Sequence, residues 1–559
     1  MPLTKAKKTT KYIFVSGGVI SGIGKGITSA SIALLLKSAG FKVAPLKFEN
    51  YLNLDAGTIN PIEHGDPFLC EDGTEGDMDI GTYEKFLNQD MGKLNFVTMG
   101  KIYHTVIERE RRFEYNGEDV EAIPHITDEI TRRIDDLASA TDADIIMIEL
   151  GGTAGEYQNI FYYEASRILT LKKPGDVIHI HVSYMPTPSH LGEPKTKPTQ
   201  LSVRTLNSMG IQPDFIIARS DKFLDQRRRE RFALFCNMHP EDIISNPDVK
   251  SVYEIPQVLQ DQGIVKRILE KLHLPEAKPN LNEWNSFVES VKKEKKRSIE
   301  IAIVGKYFGT GEYQLRDSYA ALLDAIDHAC WKVGVEVKTK WVNAEKVEKN
   351  GVEEEIGRPD GIIVPIGWGE RGTEGMIAAA SYARKEKIPY LGLCYGMQLA
   401  TIAFARDMMG WKDATSTEIN PKSKHQVIHL IPSQKELMER RAYGGTMRLG
   451  GWEALVKEGT RAYSLYKKHG EMIDEKKGLT SERHRHRYEF NDDFAKELED
   501  KGIIISARSV IEGLVEIVEL SEKDHPFYLG TQGHPEYKSR PLKPHPLFIG
   551  FIEACSKAK

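Results

Sequence analysis

An α/β chain with two parallel-sheet domains is predicted by three observations. Short strand-like runs alternate with helix-length stretches in both halves of the 559 residues. Each half carries a glycine-bearing turn set between a strand-like run and a helical one. A proline-marked basic stretch separates the halves, and a chain this long exceeds the roughly 250–300 residues at which one core stops growing.

The first half opens on Tyr12-Ile13-Phe14-Val15, a β-branched and aromatic strand run. A glycine-rich turn follows, then a helical stretch over 28–37 and a second strand over 41–47. Residues 145–148, 176–182 and 215–218 read as strands buried in a parallel sheet. Pro275 and Pro279 then precede Lys292-Lys293-Glu294-Lys295-Lys296-Arg297. This reads as a solvated, partly helical linker over 279–298, between domains spanning 1–278 and 299–559. The second half restarts with a strand over 301–304. It continues with strands over 362–364 and 390–393 and ends on β-branched runs at 503–507 and 514–520.

Composition narrows the function classes. Hydrophobic residues at 40% and charged residues at 28% are ordinary for a soluble globular chain. A net charge of -5 gives no basic field for nucleic acid or membrane. Cys70, Cys236, Cys330, Cys394 and Cys555 are odd in number and form no CxxC pair. That argues for reduced thiols in the cytoplasm, and against a disulfide framework or structural zinc. Lys5, Lys7, Lys8 and Lys11 flank an apolar run too short for a signal-peptide core. No run approaches the roughly 20 apolar residues that span a bilayer.

The sharpest motif is Gly392-Leu393-Cys394-Tyr395-Gly396, between a strand and a helix-compatible run over 397–405. Small residues two before and two after the cysteine permit a sharp turn that lifts the thiol to a helix start, where thiolate is favoured. A cysteine taken alone is more often structural. Gln532-Gly533-His534-Pro535-Glu536 supplies a histidine to take the thiol proton and a carboxylate to orient the ring. Pro365-Ile366-Gly367-Trp368-Gly369 follows a strand, so its N–H groups could receive an oxyanion. It is equally a plain strand-ending turn.

In the first half, the turn from Ser16 to Gly26 joins strand to helix and carries Lys25, a phosphate-binding arrangement. It is not a standard P-loop, since Gly26 stands where Ser or Thr follows the lysine. Carboxylates cluster from Glu71 to Asp79, either a magnesium site or a solvated turn. Glu149 ends a buried strand and needs a partner. In Gly192-Glu193-Pro194-Lys195-Thr196-Lys197-Pro198-Thr199-Gln200 the prolines disfavour a helix interior. An extended chain there makes Lys195 and Lys197 a cationic rib suited to a triphosphate; an exposed basic loop is the alternative.

The second half resembles class I glutamine amidotransferases over most of 299–559. The resemblance implies a catalytic triad of Cys394, His534 and Glu536, and an oxyanion site at Gly367 and the N–H of Tyr395. It implies glutamine binding by Gly396, Met397, Gln398, Glu418 and Arg487, with a glutamyl thioester at Cys394 and release of ammonia. Nearly the whole chain, in order, resembles the CTP synthase family. The matching runs are 12–15, the glycine-rich turn, 62–65, 71–81, 123–127, 195–200, 233–237, 444–450 and 483–489.

That resemblance implies a P-loop-like, dethiobiotin synthetase-like domain in the first half. ATP would be held by Gly22, Ile23, Gly24, Lys25, Gly26 and Ile27, with Lys47 and Asp79 near the phosphates. Mg2+ would sit at Asp79 and Glu149. UTP or CTP would be held by Ser21, Glu156, Tyr157, Gln158, Lys195, Thr196, Lys197, Pro198, Thr199, Gln200 and Arg231. It further implies GTP as an activator, CTP as a feedback inhibitor, homotetramers and filaments. Two rivals remain. One is another ATP-dependent amidotransferase of the cobyrinate-amidase kind, against which the 195–200 run argues. The other is a nucleotide-sensing or filament-forming scaffold without turnover, against which the triad, Lys25, Asp79 and Glu149 argue.

Five departures from the family pattern stand out. Ile366 replaces a glycine, and a β-branched residue resists φ > 0, so a differently set oxyanion loop is expected. Gly533 replaces an aromatic residue before the histidine. Phe48-Glu49-Asn50 replaces the usual Asp-Pro before the tyrosine, Arg231 replaces lysine, and Glu121 replaces glutamine. An added carboxylate near an anionic substrate is expected to weaken UTP binding.

Overall fold

The computed structural model describes residues 9–60, 65–190, 192–307 and 316–557. Lys5, Lys7, Lys8 and residues 62–64 lie outside the described residues. The chain forms two compact units. One comprises Met1–Ala56 and Asp79–Val291, the other Gly57–Met78 and Lys292–Lys559. The excursion of 57–78 into the second unit has no counterpart in the sequence reading.

The first unit is built on seven strands. They are β1 (Lys11–Gly18), β2 (Val43–Glu49), β3 (Phe96–Thr98), β4 (Ile145–Leu150), β5 (Val177–Tyr184), β6 (Phe215–Ser220) and β7 (Ile243–Pro247). Their order is β3-β2-β4-β1-β5-β6-β7, and every pairing is parallel. Burial on both faces explains the apolar runs, with Ile13, Val15, Ile146, Ile148 and Ile180 all fully enclosed. Helix α1 (Lys25–Ser38) begins at the end of the glycine-rich turn, three residues ahead of the predicted stretch. Helices α2 (Met78–Leu87) and α3 (Lys197–Ser208) deliver two further site segments. Within the stretch expected to be a linker, Asn282–Lys292 form helix α4. Its Trp284 is buried, donates to Tyr253 O at 2.9 Å and packs on Phe86.

The main sheet of the second unit has nine strands among the described residues. They are β8 (Ser298–Gly305), β9 (Glu336–Asn343), β10 (Gly361–Val364), β11 (Tyr390–Leu393), β12 (Arg448–Val456), β13 (Leu479–His486), β14 (Ile503–Ser509), β15 (Val515–Leu520) and β16 (Tyr528–Thr531). The order is β9-β8-β10-β11-β16-β15-β14-β12-β13. The first five are parallel, as expected, and the last four continue the sheet antiparallel. Helix α5 (Tyr395–Met408) is buried along nearly its whole length, which accounts for its all-round apolar sequence.

Register already places chemistry. Lys47 of β2 lies opposite Glu149 of β4, and Leu393 of β11 lies opposite Thr531 of β16. Each pair sits at the carboxyl ends of parallel strands, where open α/β sheets bind ligands.

Candidate active sites

In the second unit, Cys394 leaves β11 with φ 50 and ψ -99, a strained conformation for a residue with a side chain. The flanking glycines are obligatory. A Cβ on Gly392 would lie 2.7 Å from the Gly396 backbone, and one on Gly396 would lie 1.9 Å from Val364 O. Cys394 Sγ receives the Gln532 amide at 3.5 Å. His534 is fully buried, and its Nδ1 is 2.8 Å from Glu536 Oε1. Among the described residues its Nε2 has no conventional hydrogen-bond partner, and the Cys394 sulfur is near enough to act on it. Burial opposes charge on this ring, but Glu536 and Cys394 outweigh it and push the imidazole up to about 10. A thiol, a base and an orienting carboxylate are therefore assembled on parallel neighbours β11 and β16.

A cavity of about 360 Å³ opens on the thiol, and its walls include Gly367, Cys394, Tyr395, Gln398, Glu418 and Arg487. Gly396 and Met397 are not among its lining residues; they pack inside α5. Gln398 donates to Tyr488 O at 2.9 Å. Arg487 is fixed by Gln434, Tyr443 O and Thr446. Burial raises the Glu418 carboxyl, while the Gly369 N–H and Lys306 draw it back.

Both departures here have local explanations. Ile366 is buried in the core, and the left-handed turn falls at Gly369 (φ 74) instead. Gly533 leaves room for Glu482, whose Cβ would lie 2.7 Å from an added Cβ and whose carboxylate is bonded to Tyr466 and His545.

Sequence reasoning missed Lys306. It follows β8, and its ammonium donates to Gly369 O at 2.8 Å and lies 4.7 Å from the Tyr395 ring centroid. Gly369 is thus held at both polar groups, since its N–H donates to Glu418 at 2.9 Å. Burial lowers Lys306 to about 8, against the pull of Glu418. The one available signal was its place at a strand's carboxyl end.

The acidic segment turns out to be divided. Glu75 pairs with Arg485 at 2.6 Å, both nearly inaccessible, and Glu71 pairs with Arg483 at 3.1 Å. Asp79 lies 2.5 Å from Lys47, so neither a shared magnesium cluster nor a solvated turn describes the whole run. Breaking a buried ion pair leaves an uncompensated charge. Glu75→Ala is expected to cost about 3 kcal/mol, read as a lower urea midpoint by tryptophan fluorescence; an unchanged midpoint would refute it.

In the first unit, Lys47 is buried among carboxylates. Its ammonium lies 2.5 Å from Asp79, 2.7 Å from Glu149 and 3.2 Å from Glu49. Tyr83 donates to the other Glu149 oxygen at 2.9 Å. Burial and then Asp79 raise Glu149 to about 7, and burial raises Glu49. Three carboxylates on one lysine carry surplus negative charge, which suits a divalent cation with oxygen ligands. Gly26 is needed beside them, since its Cβ would lie 2.1 Å from Asp79 Oδ1.

The glycine-rich turn projects from β1 with Gly22 at φ 70 and Gly24 at φ 82. Ser21 is exposed and Ile23 buried. Lys25 donates to Gly152 O at 2.7 Å and is lowered by burial and by Lys47. Glu156 accepts from Thr153 and from Asn50 at 2.9 Å, so the Asn50 departure is bonded within the site's own loop. Tyr157 is 92% exposed.

The extended rib is corrected. Lys197 opens helix α3 and Pro198 sits in its first turn, where a missing N–H costs nothing. Lys195, Thr196, Lys197 and Arg231 line one cavity of about 620 Å³ with Arg227 and Arg228. Ser21, Glu156, Tyr157, Gln158, Thr199 and Gln200 are not among its lining residues. Thr199 is buried against Ser183, and Gln200 bonds back to Thr196. Glu121 is exposed, and its N–H meets His125 Nδ1 at 3.1 Å.

A strained cysteine elbow on one sheet and a lysine–glycine phosphate loop on another define the class, a glutamine amidotransferase coupled to a nucleotide-binding half. The family model "CTP synthase N-terminus" matches residues 11–274, and "Glutamine amidotransferase class-I" matches 314–554. A CTP synthase of Caldanaerobacter subterraneus subsp. tengcongensis is 48% identical over 98% of this chain and 99% of its own. One of Pyrococcus furiosus is 45% identical over 98% of each. A solved glutaminase domain of Trypanosoma brucei CTPS with bound acivicin is 34% identical, with a TM-score of 0.41, covering 46% of this chain and 94% of that one. The chain belongs to the CTP synthase family, which are glutamine-hydrolysing ligases of pyrimidine biosynthesis.

Proposed function

We propose that this chain makes CTP from UTP, using ATP to activate the uracil O4 and ammonia released from glutamine to displace the phosphate. The observation that carries this reading is the pairing of two complete constellations, one on each sheet. The first domain would span 1–278 and the second 299–559, with 279–298 between them.

Cys394 attacks the glutamine carboxamide. His534, already charged at working pH, holds the proton that the thiol gives up and delivers it to the departing ammonia, and Glu536 holds the ring. The N–H groups of Gly367 and Tyr395 take the developing oxyanion. Glu418, Gln398 and Arg487 receive glutamine, while Gly396 and Met397 shape the elbow from within α5. On the first sheet, the 22–27 turn with Lys25 cradles ATP phosphates, and Lys47 stands at the transferred phosphoryl group. Asp79 and Glu149 would hold Mg2+, which neutralises triphosphate charge when bound. The cationic cavity at Lys195, Lys197 and Arg231 takes the triphosphate of UTP. Ser21, Glu156, Tyr157, Gln158, Thr196, Pro198 and Gln200 complete the nucleotide contacts, and Thr199, buried against Ser183, holds the start of α3 beneath them. GTP activation, CTP feedback, tetramers, filaments and a cytoplasmic setting complete the reading. All five cysteines are free and buried, as a reducing compartment allows. Among the described residues no helix is long and apolar enough to cross a membrane.

The test is CTP formation from UTP, ATP and magnesium, with glutamine and with ammonium in parallel. Product with both is expected; product with neither would sink the assignment. Lys306 adds a pH signature. Above about pH 8 it loses its proton, and with it the charge-assisted bond to Gly369 O. Glutamine-dependent kcat/KM is therefore expected to fall with an apparent pKa near 8, while the ammonium-dependent rate shows no such fall. Lys306→Arg, charged at all working pH, is expected to move the fall upward.

A further inference from the structure

Strand β5 carries a histidine that no step above uses. His181 is fully buried and lies opposite Ser16 in the β1–β5 register. Its Nδ1 is 2.9 Å from Ser16 Oγ, and its Nε2 is 2.7 Å from Ser202 Oγ on α3. Burial and the charge of Lys25 hold the ring down to about 3, so it is neutral. A neutral imidazole donates through one nitrogen and accepts at the other, which suits two hydroxyls.

The two serines belong to the two nucleotide segments. Ser16 leads directly into Gly17-Gly18, and Ser202 sits one turn after Lys197 and Pro198. The turn presses on this bridge. A Cβ at Gly18 would lie 1.7 Å from Ser202 Oγ and 2.5 Å from His181 Nε2. The next residue, Val19, is β-branched yet held at φ 82. Such a conformation persists only where the surroundings over-determine it. One restraint is the Ala154 N–H on Gly17 O at 2.7 Å. The His181 bridge is a second.

We propose that His181 is a positioning residue that joins the phosphate turn to helix α3, so that one buried bridge sets the ATP and UTP segments together. An apolar side chain of similar size would fill the space without making the link. The proposal rests on the nucleotide assignment above.

The experiment measures KM for ATP and UTP in ammonium-dependent CTP formation by the full chain. Wild-type product is the control, and its absence would sink the function rather than the bridge. His181→Leu is expected to raise both KM values about tenfold, from two lost hydrogen bonds, with kcat nearly unchanged. His181→Gln, which can donate and accept, is expected to restore most of the loss. Ser202→Ala, which removes only one hydroxyl, is expected to raise both KM values about threefold and to be non-additive with His181→Leu. KM values unmoved by His181→Leu, whatever happens to the melting temperature, would overturn the proposal. So would a rise confined to one nucleotide.

Discussion

Cys394→Ala is expected to lower glutamine-dependent CTP formation at least about 10⁴-fold, the scale on which a lost nucleophile disables an acyl-transfer site. Ammonium-dependent formation should stay within about threefold, since added ammonium bypasses the thiol. The selectivity follows from the two-sheet construction. Cys394 caps α5 in the second unit, whereas Lys47, Glu49, Asp79 and Glu149 belong to the first. The same thiol is held by geometry as much as by chemistry. Gly396→Ala would drive a Cβ to within 1.9 Å of Val364 O, so the elbow has to open. That variant is expected to match Cys394→Ala with glutamine while keeping its thiol. Equal loss with both nitrogen donors would count against a separate ammonia-producing site.

How far the sequence discloses these sites depends on whether geometry is written into residue type. At the elbow it is, because only glycine fits at 392 and 396, and the motif can be read without coordinates. The buried strands of the first sheet are as plain, since covering both faces demands apolar runs. Strand β13 is the opposite case. Its Leu-Thr-Ser-Glu-Arg-His-Arg-His sequence has the polarity of a solvated segment, yet Arg483 and Arg485 are fully enclosed. Their charges are met by Glu71 and Glu75, which lie some 410 residues earlier in the chain, and no local pattern announces that pairing. The 195–200 run misleads for another reason. Proline disfavours helix interiors but suits a first turn, so in sequence a helix start resembles an extended rib. Lys306 and His181 carry no motif at all; their meaning comes from what the sheet register puts beside them.

Lys47→Met is expected to abolish CTP formation with both donors, by at least about 10³-fold, the scale for removing a charge aimed at developing charge. It should also reverse the balance of the cluster it leaves. Glu49, Asp79 and Glu149 would face one another without their shared cation, and ionising them together in a buried space is costly. The wild-type chain already shows the direction. Burial and then Asp79 push the Glu149 carboxyl up to about 7 in the fold. A carboxyl raised by folding binds more protons folded than unfolded, so stability falls as pH rises between the two values. For Glu149 that window runs from the ordinary carboxyl range up to about 7. Without Lys47 the three carboxyls hold their protons to still higher pH, and the window widens upward. The melting temperature of Lys47→Met should therefore drop more steeply than that of wild type between pH 5 and 8. Added magnesium, which can replace the missing positive charge, should recover part of the difference at the upper end. Parallel melting curves for the two proteins, unmoved by magnesium, would mean that Lys47 does not neutralise this cluster.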